Sequence, residues 1–500
     1  MTAVPLRSPR SSPRTSPRPR LRPVGILVSA LFLTVGTVLA GWSGLGDRTA
    51  HPTPGDAASL PSPALGGAQP PAGVQVPIPG AGAASLPGGS VAGLDHNIAA
   101  WTKNLEANPL DFISATNLAS LYHARARLTA DLADHERALA AARTAISIAP
   151  TQPGARLLEA SILFSLHDFR AALAAADALY REDPSQIGAL ATRADAELEL
   201  GDLAAATRDL ETLAASAAGP AVDVRRARLA ALTGDLEGAL DLARLARDTT
   251  FADGTDVAFY DYALAEYARL AGDAVTAQTG FEAALKARPT DLGALVGLAR
   301  VQAFEGDIDA AVESLLAAVA IAPTPEAEAL LGDLLSIRAA DASRDPADRA
   351  ADRLAAETAF GTVRLTRELS ALAGSVYDRQ LLLFELDHAP FATEATLAAA
   401  RAALEARPDA AGHDIVAWAL HRLGRDDEAW AQSLAARAAG AADARTLFHA
   451  GSIAAALGDD VAARDLLPRA LALGPALDPV ERAEAGTVLA RVDSISMPPG

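Results

Sequence analysis

The chain has 500 residues, half of them hydrophobic but only 4% aromatic, so alanine supplies much of the apolar content. Residues 1–96 carry seven arginines against Asp47, Asp56 and Asp95, leaving 36 basic and 59 acidic side chains in the remainder, a net charge of −23. An acidic body disfavours nucleic-acid binding, which needs cations to neutralise phosphates, and a chain without cysteine has no disulfide, thiolate metal site, cysteine nucleophile or lipidated cysteine.

Residues 1–23 are rich in Pro, Ser and Arg and contain no acid, a composition that forbids a helix and predicts a basic disordered tail. Residues 24–42 are uncharged and include Ile26, Leu27, Leu31, Phe32 and Leu39. At about 1.5 Å per residue such a helix nearly crosses a hydrocarbon layer of roughly 30 Å. With the arginines on its N-terminal side, it reads as a single transmembrane helix that leaves the tail cytoplasmic and the bulk exported. The small-residue spacing of Val38-Leu39-Ala40 also permits cleavage as a signal peptide, which would make the body secreted. Residues 43–96 are dominated by Gly, Pro, Ala and Ser and read as a disordered linker with a reach of about 40 Å.

After a lead-in helix expected over residues 97–106, one small residue recurs: Ala138, Ala172, Ala206, Ala239, Ala277 and Ala311, then Ala429 and Ala463. The spacing is 34 residues with few exceptions. Such a period is the mark of stacked helix pairs, with alanine where helices cross closely. Glycine followed by aspartate recurs at Gly201-Asp202, Gly234-Asp235, Gly272-Asp273, Gly306-Asp307 and Gly458-Asp459. Glycine can take the left-handed conformation that ends one helix, and aspartate caps the N–H groups that open the next. Prolines such as Pro150, Pro184, Pro289 and Pro323 close the pairs.

In the first pair Leu118, Ala119 and Tyr122, followed by Ala138, Ala145 and Pro150, resemble the Leu-Gly-x-x-Tyr core and second half of the tetratricopeptide repeat (TPR) family, with an insertion of seven residues around 128–134. The resemblance implies an all-α, right-handed superhelical solenoid of about ten TPR-like helix pairs over residues 97–325, 326–408 and 409–476, with a capping helix within residues 477–493. The middle segment loses the repeat phase; residues 341–369, with Asp345, Asp348, Arg349, Asp352 and Arg353, read as a long solvated helix laced by its own ion pairs. Pro468 falls inside the last second helix and predicts a kink.

No catalytic or metal-binding pattern emerges. His135-Glu136 begins a zincin-like motif, but Leu139 stands where the second histidine belongs, and neither Lys103 nor Lys286 follows a glycine as a P-loop requires. The chain therefore reads as a non-enzyme without cofactors. First helices of such pairs line a concave groove suited to peptides. The side chains on that face beyond the needs of the repeat are Phe259, Tyr262, Glu266, Arg269 and Arg300, and then Trp418, His421, Phe448 and Ser452. The function expected is a protein- or peptide-binding scaffold or adaptor at the outer face of the cytoplasmic membrane, anchored through residues 24–42, for partners with basic or neutral segments and not for nucleic acid. An auxiliary subunit of a membrane transporter or secretion system, or a substrate-recognition partner of a separately encoded enzyme, are the alternatives.

Overall fold

The computed structural model describes residues 91–129, 131–250, 257–373, 379–388 and 393–495, and the described residues form α-helices with no strand. The tail, the apolar run and residues 43–90 of the linker lie outside them; no helix among the described residues is long and apolar enough to cross a membrane. Helix α1 (Val91–Ala107) leads in. It begins earlier than expected, so the last six residues assigned to the linker, 91–96, are helical.

Ten helix pairs follow, numbered here as units one to ten. Units one to three pair α2 (Phe112–Thr129) with α3 (Leu132–Ile148), α4 (Pro153–Ser165) with α5 (Phe169–Glu182), and α6 (Ile187–Leu200) with α7 (Leu203–Ser216). Units four to six pair α8 (Pro220–Leu232) with α9 (Leu236–Asp248), α10 (Val257–Leu270) with α11 (Ala274–Ala287), and α12 (Leu292–Glu305) with α13 (Ile308–Ile321). Units seven and eight pair α14 (Pro325–Ala340) with α15 (Pro346–Ala373), and α16 (Arg379–Asp387) with α17 (Glu394–Ala406). Units nine and ten pair α18 (Ala410–Arg422) with α19 (Asp426–Ala438), and α20 (Ala444–Ala456) with α21 (Asp460–Ala472); a short 3₁₀ turn (Gly474–Ala476) then leads to α22 (Pro479–Ile495).

The recurring alanines hold the pairs together: Ala138, Ala172, Ala206, Ala239, Ala277, Ala311, Ala429 and Ala463 are all fully buried. The turn within a pair is set by backbone chemistry. Gly201, Gly234, Gly272, Gly306 and Gly458 have φ between 77° and 90°. Each lets the next aspartate N–H reach back to a carbonyl five residues earlier, as in Asp273 to Ala268 at 2.8 Å and Asp307 to Gln302 at 2.9 Å. The same aspartates cap the second helices, Asp202 accepting from Ala205 N at 3.0 Å and Asp459 from Ala462 N at 3.0 Å. In unit two His167 takes the glycine's place at φ 59°.

The insertion in unit one falls at the end of α2 and the start of α3, which run to 18 and 17 residues. One local reading is corrected. In the divergent segment Asp341 ends α14 and does not open the next helix. Asp352 of α15 is buried against Arg338 of α14, and Arg349 donates to the Ala339 carbonyl at 3.0 Å, so these charges tie two helices together and do not lace one. Pro468 lies inside α21, where the sequence places it.

The array also closes on itself at a separation of five units. A Cβ placed on Gly201, in the turn of unit three, would lie 2.9 Å from the Cα of Asp409, in the loop after unit eight. One on Gly234, in unit four, would lie 3.0 Å from the Cβ of Ala442, after unit nine. One on Gly272, in unit five, would lie 3.3 Å from the Cα of Leu473, after unit ten. Arg407 adds a bond to the Glu199 carbonyl at 3.2 Å and an ion pair with the Glu199 carboxylate, and it lies 4.7 Å from the Phe169 ring centroid. One coil thus rests on the edge of the other.

Gly424 has a positive φ like the others but nothing within 4 Å of its added Cβ. Gly424→Ala should therefore cost only the left-handed strain, about 1 kcal/mol, whereas Gly201→Ala should cost about 1–3 kcal/mol more through overlap with the second coil. Urea unfolding of the two variants checks this; equal losses would mean the coils do not touch there.

Candidate functional site

Where the first coil meets the end of the second, α10, α12 and the N-terminus of α14 face α20 and the segment before α22 across a cavity of about 170 Å³. Four carboxylates and three guanidiniums line it, with Tyr262 beside them. Arg269 is held by Glu266, one turn away, at 2.7 and 2.9 Å, and donates across the coils to the Pro475 carbonyl at 3.0 Å. Arg300 reaches Asp478 at 2.7 Å and Glu326 at 2.7 Å. Arg445 bonds Glu481 at 2.5 Å and stands 3.6 Å from Asp478. Gly293 leaves room here for the Tyr262 ring, which a Cβ would meet at 2.9 Å.

The electrostatics follow from this sharing of charges. Burial works to raise the Asp478 carboxyl, but the Arg300 guanidinium and then Arg445 outweigh it and hold its pKa down at about 2. Burial pushes Glu481 the other way, above the usual carboxylate range, because its one arginine is shared with Asp478. Among the cavity's arginines and their carboxylate partners no side chain waits unpaired, so the arrangement is first a clasp between the coils. Its lining residues offer no nucleophile with an adjacent base.

Of the residues expected on a concave groove, Tyr262, Glu266, Arg269 and Arg300 come together in this cavity. Tyr262 and Arg269 are buried, and Arg300 and Glu266 are mostly covered. Phe259 is buried against the Tyr260 ring in the core of units four and five and lines no open surface. The second group stands apart, inside units nine and ten. Trp418 and Phe448 are completely buried and Ser452 nearly so. The Trp418 ring stacks on His449 at 4.0 Å and on His421 at 5.0 Å, lies edge-on to Phe448 at 5.3 Å, and donates its N–H to Asp387 at 2.8 Å. His421 in turn bonds Asp426 at 2.6 Å. In this structure these side chains are packing between neighbouring units. Sequence reading missed Asp478, Arg445 and Glu326, since nothing local marks a carboxylate whose arginine lies 178 residues away.

The histidines form no metal centre: among the described residues no group of three or more His, Asp or Glu is arranged to hold an ion. His123 and His135 lie edge to face at 5.3 Å, each with a buried Nδ1 lacking a hydrogen-bond partner. Burial lowers the pKa of His135 and of His167 to about 4.

Residues 268–334 match the tetratricopeptide repeat family model. The chain is similar to a tetratricopeptide repeat protein of Parabacteroides merdae (17% identity over 47% of this chain and 87% of that one, TM-score 0.37) and to a thermophilic TPR protein of Thermus thermophilus (20%, 38% and 98%, TM-score 0.34). It is also similar to the human IFIT1 dimer with PPP-AAAA (15%, 65% and 72%, TM-score 0.40). No curated protein matches it. The matched stretch runs from the end of α10 into α14, so tetratricopeptide repeats lie within an all-helical repeat solenoid.

Two measurements test these assignments. Asp478→Asn should cost about 3–5 kcal/mol by leaving Arg300 short of a buried partner, and Trp418→Ala about 3–5 kcal/mol as a core cavity; denaturant midpoints read both, and a loss under 1 kcal/mol would place either residue outside the core. His135 and His167 are favoured neutral in the fold, with folded pKa values below the unfolded one of about 6.5. Their contribution is complete above that value and is lost as pH falls from about 6.5 through 4. Amide protection factors in units one and two, corrected for the intrinsic pH dependence of exchange, should fall over that window in wild type but less in His135→Gln.

Proposed function

We propose that this chain is a non-catalytic scaffold that binds proteins or peptides, held by residues 24–42 at the outer face of the cytoplasmic membrane. The observation that supports it most is the charged cavity between the coils, set in a stack of ten helix pairs. Repeats of this kind expose long surfaces for chains of other proteins. With four carboxylates to three guanidiniums at the cavity and a strongly acidic body, partners with basic or neutral segments fit best. Anchoring would raise the local concentration of whatever is held there.

A second reading, an auxiliary subunit of a transporter or secretion system, is favoured by the uncharged run of residues 24–42, which would then contact the machine within the bilayer. Exchanging that run for an unrelated anchor separates the two readings, because only the auxiliary subunit loses function.

Glu266 and Glu326 both line the cavity. Immobilised full chain, presented with solubilised membrane proteins at low salt, should capture a partner several-fold less well as Glu266→Gln or Glu326→Gln. The wild type should behave likewise at high salt, where exposed charges are screened beyond a few Å. Capture that is unchanged in both variants removes the cavity as the site.

A further inference from the structure

Helix α15 has 28 residues, whereas the second helices of the flanking units, α13 and α17, have 14 and 13. It buries Asp352, Ala356, Ala359 and Val363 against the stack. Its outward side carries Ala347, Ala351, Leu354, Thr358, Gly361 and Leu365, at alternating steps of four and three residues. That spacing presents a continuous seam to another helix. Leu354 is 71% exposed and Leu365 54%, and no charge lies between them on this line. The Thr358 hydroxyl is turned onto its own helix, donating to the Leu354 carbonyl at 2.9 Å, so the seam is apolar throughout. Single exposed leucines are ordinary; two of them on one charge-free line are not.

A glycine adds to this. Inside helices the missing Cβ elsewhere makes room for a neighbour, as at Gly297 for the Phe281 ring and at Gly332 for the Phe360 ring. A Cβ on Gly361 would meet only the Arg364 guanidinium, at 3.9 Å. Glycine in mid-helix costs stability relative to alanine, and here nothing inside the chain asks for it.

The charges beside the seam name the occupant. One border carries Arg353, Glu357, Arg364 and Glu368, all exposed, at spacings of four, seven and four. Read backwards, the row has the same spacings and every sign is exchanged. Packed against an antiparallel copy of itself, Leu354 meets Leu365 and Thr358 meets Gly361. That register lays the two charged rows side by side. Glu357 of each copy then faces Arg364 of the other, and Arg353 falls beside Glu368. Within one chain Glu357 and Arg364 stand 4.0 Å apart, a loose pair that the second copy can exchange. A parallel copy in register would instead set this row against the other border, where Ala355 and Thr362 are uncharged and Asp348 lies near the helix start.

We propose that the outward face of α15 binds a second copy of this chain, the two helices crossing antiparallel about a twofold axis near Gly361. The interface is one surface meeting itself, so it gives closed pairs and not filaments. The leucines supply the attraction and the charges select the orientation. One helix against one is a small contact, and pairing should depend on concentration. None of the cavity's residues take part, so the peptide-binding reading can fail without affecting it.

Light scattering of the full chain in a non-ionic detergent, with the detergent's mass subtracted, should rise with concentration from 51.2 kDa to twice that mass and stop there. Glu357→Arg and Arg364→Glu should each remain a single copy where the wild type is paired, since each sets like charges together twice. Their equimolar mixture should regain the doubled mass, and so should the double variant with both changes. Leu354→Gln should lose pairing without losing helix by circular dichroism. These positions are exposed, so the variants should fold. A wild type of one copy at every concentration overturns the proposal and leaves the face to a different occupant. Pairing that survives in Glu357→Arg, as pairing through residues 24–42 would, overturns it too, and so does a mixture that stays at one copy.

Discussion

The structure depends on a turn of two residues. A glycine at positive φ ends the first helix of a unit and the following aspartate caps the second, which sets the two helices side by side with their small residues facing. The same glycine has a second use that its local role does not reveal. Lacking a Cβ, it lets the backbone of another coil come within contact distance, and at Gly201, Gly234 and Gly272 the second coil does so. Local geometry and the closure of the array are thereby set by one constraint.

How much of this could be read in advance follows from distance along the chain. The alanines, the Gly-Asp turns and the proline-closed loops are local features with a fixed period, and they appear in the structure where that period puts them. The two divergent units were legible as helices, but Arg338 and Asp352 were not legible as partners because their bond crosses between helices. The groove residues show the limit most clearly. Tyr262, Glu266, Arg269 and Arg300 do lie on one face, yet what covers them is the segment before α22, some two hundred residues on. Trp418 stood out because the repeat does not require it, and the structure uses it to fill space between His421, His449 and Phe448. A large aromatic on a concave face can serve a neighbour as readily as a ligand.

The charges inside the coil contact carry information about specificity more than about stability. A buried ion pair gains little over a well-packed apolar contact but is costly to leave half-made. Arg300, held by both Asp478 and Glu326, accepts only one placement of the second coil on the first. Arg407, reaching both the carbonyl and the carboxylate of Glu199, does the same at the other side. An alanine-rich interface alone would tolerate sliding by a turn.

Contacts between units five apart also change how such an array comes into being. A simple solenoid touches only its neighbours, so its units can form one by one and fray from either end with little penalty. Here the turns of units three to five stay exposed until units eight to ten have been synthesised and have wound back upon them. Contacts this distant in sequence close slowly because a long loop must be ordered before they form. The first coil should therefore be a waiting intermediate during synthesis, and completion of the C-terminal units should convert a chain of weakly linked steps into a single cooperative transition.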